Sequence, residues 1–91
     1  MTPASITWRQ ISVATKMACG ARAPVAYGVG DVGLCFKVGG RMRWVEVELD
    51  PSDTYTCRLV RMSGATRHVT EEHTDIYCDV LSECVYHMVN K

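Results

Sequence analysis

The chain has 91 residues, which is enough for one small domain with a single modest core. The composition, 47% hydrophobic and 22% charged, is typical of a soluble globular domain, and no apolar run approaches the roughly 18 residues of a membrane span. A formal net charge of zero argues against binding driven mainly by phosphate charge. The charge is nevertheless segregated, because residues 1–67 carry +4 and residues 68–91 carry −4.

The cysteines indicate a reducing compartment. They are odd in number and lie among apolar or helical residues, whereas a disulfide framework needs an even set in turn-rich surroundings. The first ten residues also lack the basic and apolar regions of a secretory signal. We therefore expect free thiols and a cytoplasmic protein, the host cytoplasm if a phage encodes it. The cysteines are Cys19, Cys35, Cys57, Cys78 and Cys84.

The first predicted element is a helix over residues 7–20. Thr7 is a suitable N-cap, Gln10 completes a capping box, and Gly20 is a natural C-terminal stop. Apolar residues recur at helical spacing between them, which indicates one face packed on a core. Residues 21–31, rich in glycine and proline, are predicted to be a loop.

A β-meander follows, with strands predicted at residues 32–38, 41–49 and 54–62. Side chains alternate so that the even positions of the first strand and the odd positions of the other two face the core. A two-residue turn at 39–40 pairs Phe36 with Arg43. The connection at residues 50–54 places Glu46 opposite Arg58 and Trp44 opposite Val60, a favourable arrangement for an exposed ladder.

The C-terminal third is less regular. Residues 67–72 fit either a fourth strand or the beginning of the last helix, and residues 75–89 carry a helical apolar stripe. The predicted fold is therefore one α+β domain over residues 1–91. It has an N-terminal helix, a three- to four-stranded antiparallel meander and a C-terminal helix, with both helices on one face of the sheet.

Several segments in this order resemble a family of small, functionally uncharacterised proteins of bacteriophages and related mobile elements. They are "ATKMACGARAPV", the meander, "LDPSDTYTCRLVR" and "HTDIYCDVLSECV". In that family an Asp-Ile-Tyr-x-Asp-x-Leu segment opens the last helix, and here it corresponds to residues 75–81. The resemblance implies a phage protein, with a residue usage that suits a GC-rich host such as an actinobacterium. It implies no activity.

Catalytic and metal-binding patterns are weak. Cys84 and His87 lie three apart on the last predicted helix, but two ligands do not make a metal site. Asp75 and Asp79 are more typical of a solvated helix start than of an acid/base pair. The glycines of "GVGDVG" precede a strand, which is the wrong context for phosphate binding. We predict no enzyme, no metal and no cofactor.

The open face of the predicted sheet is the best candidate for function. An apolar cluster beside basic residues is typical of a protein contact surface, unless the 21–31 loop or the last segment folds over it. The expected partner is a host or phage protein, with a face-to-face homodimer as the alternative. The predicted anchors are Met42, Trp44, Val60 and Met62, surrounded by Arg43, Arg58 and Arg61.

The alternative function is weak nucleic-acid binding by a basic hairpin patch. Cations there would hold the backbone while the indole stacks on a base. The acidic residues of 71–75 contradict the layout of double-stranded-RNA-binding domains, which carry lysines at the start of their last helix. The patch consists of Lys37, Arg41, Arg43 and Trp44.

Overall fold

A computed structural model describes residues 2–40 and 42–90. The chain forms an α+β fold in which a five-stranded antiparallel sheet has strand order β1-β2-β3-β4-β5. Its helices are α1 (Pro3–Gln10), α2 (Val13–Cys19) and α3 (Leu81–Val89). Its strands are β1 (Arg22–Tyr27), β2 (Gly33–Lys37), β3 (Arg43–Leu49), β4 (Tyr55–Ser63) and β5 (Thr66–Ile76), with a 3-10 turn at Val29–Asp31.

The single N-terminal helix predicted over 7–20 is wrong, because the chain forms two short helices there. Thr2, not Thr7, caps α1 by accepting a hydrogen bond from the Ser5 amide at 3.2 Å. Thr7 lies inside α1, 1% exposed, and its hydroxyl donates to the Pro3 carbonyl. Between the helices Ile11 is extended and 1% exposed, so the break lets it enter the core. The predicted stop at Gly20 is confirmed, with a left-handed φ of 66°.

The predicted loop 21–31 is also wrong in part, because it contains β1. This strand pairs with β2 from residues 22–27 and is interrupted by a bulge between Arg22 and Val25. Most of its side chains are exposed. β1 lies at the edge of the sheet. Its Pro24 is tolerated there because an edge strand has no partner on its outer side.

The C-terminal segment contains a longer strand and a shorter helix than predicted. The strand of 67–72 exists and extends to Ile76, which pairs with Tyr55 and packs against the core. Asp75, at a positive φ of 57°, therefore belongs to β5 and not to a helix. A turn follows, closed by a hydrogen bond from the Val80 amide to the Tyr77 carbonyl, and α3 begins only at Leu81.

The strand registers are partly as predicted. The β3–β4 pairing is confirmed, with Trp44 opposite Val60 and Glu46 opposite Arg58. The β2–β3 pairing is two residues away from the prediction, since Phe36 faces Val45 and not Arg43. A longer connection replaces the two-residue turn. A shift of two residues preserves which side chains face the core, so the predicted faces still hold.

The helices cover one face of the sheet. α1 packs on β1, β2 and β3, while α3 packs on β4 and β5 and against α2. Trp8 of α1 meets Phe36 of β2 edge to face, with the ring centroids 5.2 Å apart. The strands contribute Leu34, Phe36, Val45, Val47, Tyr55, Cys57 and Leu59 to this core, and Val38, just after β2, joins them.

Within residues 2–40 and 42–90, no helix has the length and apolar content needed to cross a bilayer.

Candidate binding face

We use the term open face for the side of the sheet opposite the helices. The residues in register on this side alternate with the core residues along each strand. No described helix packs on them. They are Val25 and Tyr27 of β1, Cys35 and Lys37 of β2, Trp44, Glu46 and Glu48 of β3, Arg58, Val60 and Met62 of β4, and Val69 and Glu72 of β5.

Trp44 lies on the open face as predicted. It is half-buried and stands outside the hydrophobic core cluster. Its indole N–H donates a 2.9 Å hydrogen bond to a carboxylate oxygen of Glu46, two residues along the same strand. The indole therefore has a polar partner while its rings line two adjoining recesses of the surface.

The larger recess has a volume of about 490 Å³ and lies across β1, β2 and β3. Val25, 60% exposed, forms one of its apolar walls. The bulge in β1 and the pairing of Val25 with Cys35 place this wall across the sheet from the indole. The lining residues are Val25, Tyr27, Cys35, Trp44, Glu46 and Arg67.

The smaller recess, at the end of the sheet, has a volume of about 290 Å³ and three basic walls. Lys37 and Trp44 are partners in the β2–β3 ladder, and Arg22 is the partner of Lys37 in the β1–β2 ladder. Sequence reasoning missed Arg22 because it assigned that residue to a loop. The lining residues are Arg22, Lys37, Gly40, Met42, Arg43 and Trp44.

An ion-pair network occupies the centre of the open face. The Arg58 guanidinium lies 3.1 Å from Glu48, 2.7 Å from Glu72 and 3.8 Å from Glu46. Arg67 also pairs with Glu46. These contacts join β3, β4 and β5, so the side chains around Trp44 are held in fixed positions.

The network shifts the ionisation of its members. The hydrogen bond from Arg58 holds the pKa of Glu48 below its ordinary value, against the opposing effect of burial. Burial, together with a 2.9 Å hydrogen bond donated to Glu48, raises the pKa of Tyr27. The bond to Glu48 likewise raises the pKa of Arg58. At neutral pH the face therefore carries fixed charges and a neutral Tyr27 hydroxyl.

Among the predicted anchors, Val60 must be corrected. It belongs to the open face, but it is 0% exposed between its ladder partners Trp44 and Val69 and cannot touch a partner. Met42, just before β3, is 58% exposed, and Met62 is half-buried. The Met62 amide donates to the Met42 carbonyl at 2.9 Å, so the backbones of the two methionines are neighbours.

The surrounding arginines also differ from the prediction. Arg43 and Arg61 are ladder partners whose register places them on the helix side. The Arg43 guanidinium donates to the Gly39 carbonyl at 3.0 Å, although it still lines the smaller recess. Arg58 lies on the open face, but its three carboxylate neighbours already engage it. Arg41, part of the alternative patch, lies outside the described residues.

The metal pair considered from the sequence does not assemble. Cys84 is half-buried against the core, whereas His87 is exposed and its ring meets the Tyr86 ring edge to face, with the ring centroids 5.5 Å apart. Across residues 2–40 and 42–90, no group of three or more His, Cys, Asp or Glu side chains is placed to hold an ion.

No protein-family model, curated protein or solved structure matches this chain. The resemblance to phage proteins therefore stays a prediction, and any functional proposal depends on the geometry of the chain itself.

Proposed function

We propose that the protein is a non-enzymatic binding module, an accessory protein of phage type that docks on a host or phage protein through its open face. The observation that carries this proposal is the position of Trp44. Its indole lies between two recesses on a sheet face that no described helix covers. A large aromatic side chain beside recesses is a typical anchor of protein interfaces.

The surroundings of the indole support a protein partner. Val25, Met42 and Val69 on or beside this face are 60%, 58% and 45% exposed. Interface centres are enriched in Trp and Met, with polar groups at the rim. Because the central ion pairs already fix the side chains, little conformational freedom is lost on docking, which favours affinity.

The smaller recess supports the second candidate, a weak nucleic-acid binder. Lys37, Arg43 and Trp44 of the predicted patch line this recess together, and Arg22 adds a third cation. None of these cations takes part in an ion pair among the described residues. Against this candidate, the adjacent centre of the face presents carboxylates, which repel a phosphate backbone.

Charge substitutions on exposed valines test the proposal without disturbing the core. Val25→Lys places a cation in the larger recess, and Val29→Lys is the matched control because Val29 is 94% exposed outside this face. We expect the wild type and Val29→Lys to capture the same host or phage protein, measured by quantitative mass spectrometry. Val25→Lys should reduce capture about tenfold or more, since a buried unpaired cation is costly.

A photoreactive amino acid in place of Met42 gives an independent readout. It should crosslink to the captured protein, whereas the same group in place of Val29 should not. Equal capture by both lysine variants, with no crosslink from position 42, would refute docking through this face. Sedimentation velocity distinguishes a homodimer, which would form in the pure protein.

The second candidate has its own assay, fluorescence anisotropy with single- and double-stranded oligonucleotides at increasing salt. Affinity that falls steeply with salt and is weakened by Lys37→Gln would favour it. Lys16→Gln is the control, because Lys16 lies on the helix side over the Trp8 ring.

A further inference from the structure

The smaller recess of the open face carries positive charge that its own surroundings do not balance. Lys37 and Trp44 line it from β2 and β3, and Arg22 reaches it from β1. Among the described residues, none of the three cations that line this recess takes part in an ion pair. By contrast, Arg58 and Arg67 on the same side of the sheet are both paired with glutamates. The smaller recess can therefore accept an anion from outside the chain.

Backbone carbonyl groups hold both guanidinium groups of this recess in place. The Arg22 guanidinium donates to the Gly20 carbonyl at 3.2 Å and to the Val38 carbonyl at 3.5 Å. The Arg43 guanidinium donates to the Gly39 carbonyl at 3.0 Å. Because a carbonyl oxygen is neutral, these bonds fix the two groups without cancelling their charge. Cations that are already positioned lose little conformational freedom when an anion binds.

The ion-pair network beside the indole limits how much negative charge a ligand can carry across the face. Its three glutamates face two arginines, which leaves one negative charge in excess. A chain of phosphates that continued from the smaller recess across this network would be repelled. A single carboxylate in the smaller recess would not extend that far. The network consists of Glu46, Glu48, Glu72, Arg58 and Arg67.

The larger recess lies one step further along the strands and suits an apolar side chain. Cys35, which lines it, is two positions from Lys37 on β2, a distance of about 7 Å along the strand. Val25, the apolar wall of the larger recess, is 60% exposed. In an extended peptide, side chains two positions apart point to the same side with the same spacing. One extended segment lying along the strands can therefore place a side chain in each recess.

We infer that the segment docking on the open face is extended and carries an acidic residue and an apolar residue separated by one position. The carboxylate enters the smaller recess between Arg22, Lys37 and Arg43. The apolar side chain enters the larger recess against Val25, and Trp44 contacts both side chains because it lines both recesses. This inference rests on the proposed docking function and names the chemistry of the partner.

A library of random peptides displayed on yeast tests the inference without knowledge of the natural partner. After sorting against the folded wild-type protein, the retained peptides should share Asp or Glu two positions from an aromatic or aliphatic residue. One such peptide is then synthesised, and its affinity is measured by fluorescence anisotropy. Replacing its acidic residue by the corresponding amide should weaken binding to the wild type, since the peptide loses the charge that the three cations attract.

Charge reversal at Lys37 gives the matched comparison. Lys37→Glu should weaken binding of the acidic peptide about tenfold or more, because like charges then face each other. A peptide with Lys in place of the acidic residue should recover affinity for Lys37→Glu and bind the wild type poorly. Lys16→Glu is the control, since Lys16 lies on the helix side over the Trp8 ring, and it should bind the acidic peptide like the wild type.

The two tryptophans give a readout in the unmodified chain. Titration with the acidic peptide should shift the indole N–H resonance of Trp44 in NMR spectra. The resonance of Trp8, which packs on Phe36 on the helix side, should not move.

Three results would overturn the inference. They are a sorted library with no enrichment of acidic residues, equal affinity of Lys37→Glu and Lys16→Glu for the acidic peptide, and oligonucleotides that displace this peptide and bind more tightly. The proposed docking function is judged separately, by the capture lost in Val25→Lys and by the crosslink from position 42. If these hold while acidic peptides show no preference, the open face docks a partner of different chemistry.

Discussion

The contacts of Trp44 explain how a large apolar side chain can lie on the charged side of a sheet. The indole N–H is bonded to Glu46, and Glu46 in turn is paired with Arg58 and Arg67. A charged neighbour on the same strand therefore provides the polar partner that the indole needs. The rings remain available to line the recesses, so the charged and apolar parts of the face support each other.

Gly33 determines where Tyr27 lies on the same face. A Cβ atom at Gly33 would come within 2.5 Å of the Tyr27 ring, although the backbone there is ordinary. Gly33→Ala should displace the ring and lower the free energy of unfolding by about 1–3 kcal/mol, the range of overpacking. Urea denaturation measures this.

The control for Gly33→Ala is the same substitution in a Tyr27→Ala background. With the ring absent there is no clash, so the added methyl group should cost little, and the two substitutions should be strongly non-additive. An equal cost in both backgrounds would show that the ring does not occupy the space above Gly33.

At the scale of elements, the break between α1 and α2 depends on a side chain from the other end of the chain. The Ser82 hydroxyl of α3 accepts from the Ser12 amide at 2.8 Å and donates to the Gln10 carbonyl at 3.2 Å. It thereby satisfies two backbone groups that one continuous helix would have paired internally. Ser12 also caps α2 by accepting from the Thr15 amide.

Removing the Ser82 hydroxyl should therefore destabilise the helix layer. We expect Ser82→Ala to lower the free energy of unfolding by about 1–2 kcal/mol, because two backbone groups lose their partner. Ser63→Ala, at the exposed end of β4, should change it by about 0.5 kcal/mol or less. Urea denaturation compares the variants, and a similar effect of both would contradict the role of Ser82.

This dependence on Ser82 shows why the helices could not be predicted in full. The apolar spacing over 7–20 is helical throughout, and the group that completes the break lies 70 positions from Ser12. The β3–β4 register was predictable because residues within a few positions of the turn fix it. The β2–β3 register was wrong because the connection around residues 39–42 is longer than its two glycines indicate.

The side of the sheet that carries the candidate site was predictable from the sequence, but several of the residues that line its recesses were not. Alternation along β3 places Trp44 outward in any register that preserves parity. By contrast, β1 has no periodic pattern, so Val25 and Arg22 were missed although they line the two recesses.

For the whole molecule, the two faces of the sheet have different chemistry. The helix side contains the core, and the open face contains Trp44 and the ion pairs. These ion pairs also connect the oppositely charged parts of the chain, since Glu72 from the acidic segment binds Arg58 from the basic one. The charge segregation seen in the sequence is thus partly neutralised by β5 pairing with β4.

The same network should make stability depend on pH at the acidic end. Because Arg58 lowers the pKa of Glu48 in the folded protein below its ordinary 4.5, the folded state binds fewer protons than the unfolded state. The resulting stabilisation is complete above the ordinary pKa and is lost as pH falls through the folded one. Glu48→Gln should therefore be less stable than the wild type at neutral pH, and the difference should vanish in strong acid.

Urea denaturation from neutral to strongly acidic pH measures the difference in the free energy of unfolding between Glu48→Gln and the wild type. Asp79→Asn is the matched control. Asp79 is exposed in the turn before α3, so its removal should leave the acid limb of the wild-type curve unchanged. If the difference in the free energy of unfolding between Glu48→Gln and the wild type stays constant from neutral to acidic pH, the carboxylate acts through packing. In that case the charge of Glu48 would not hold β3 to β4.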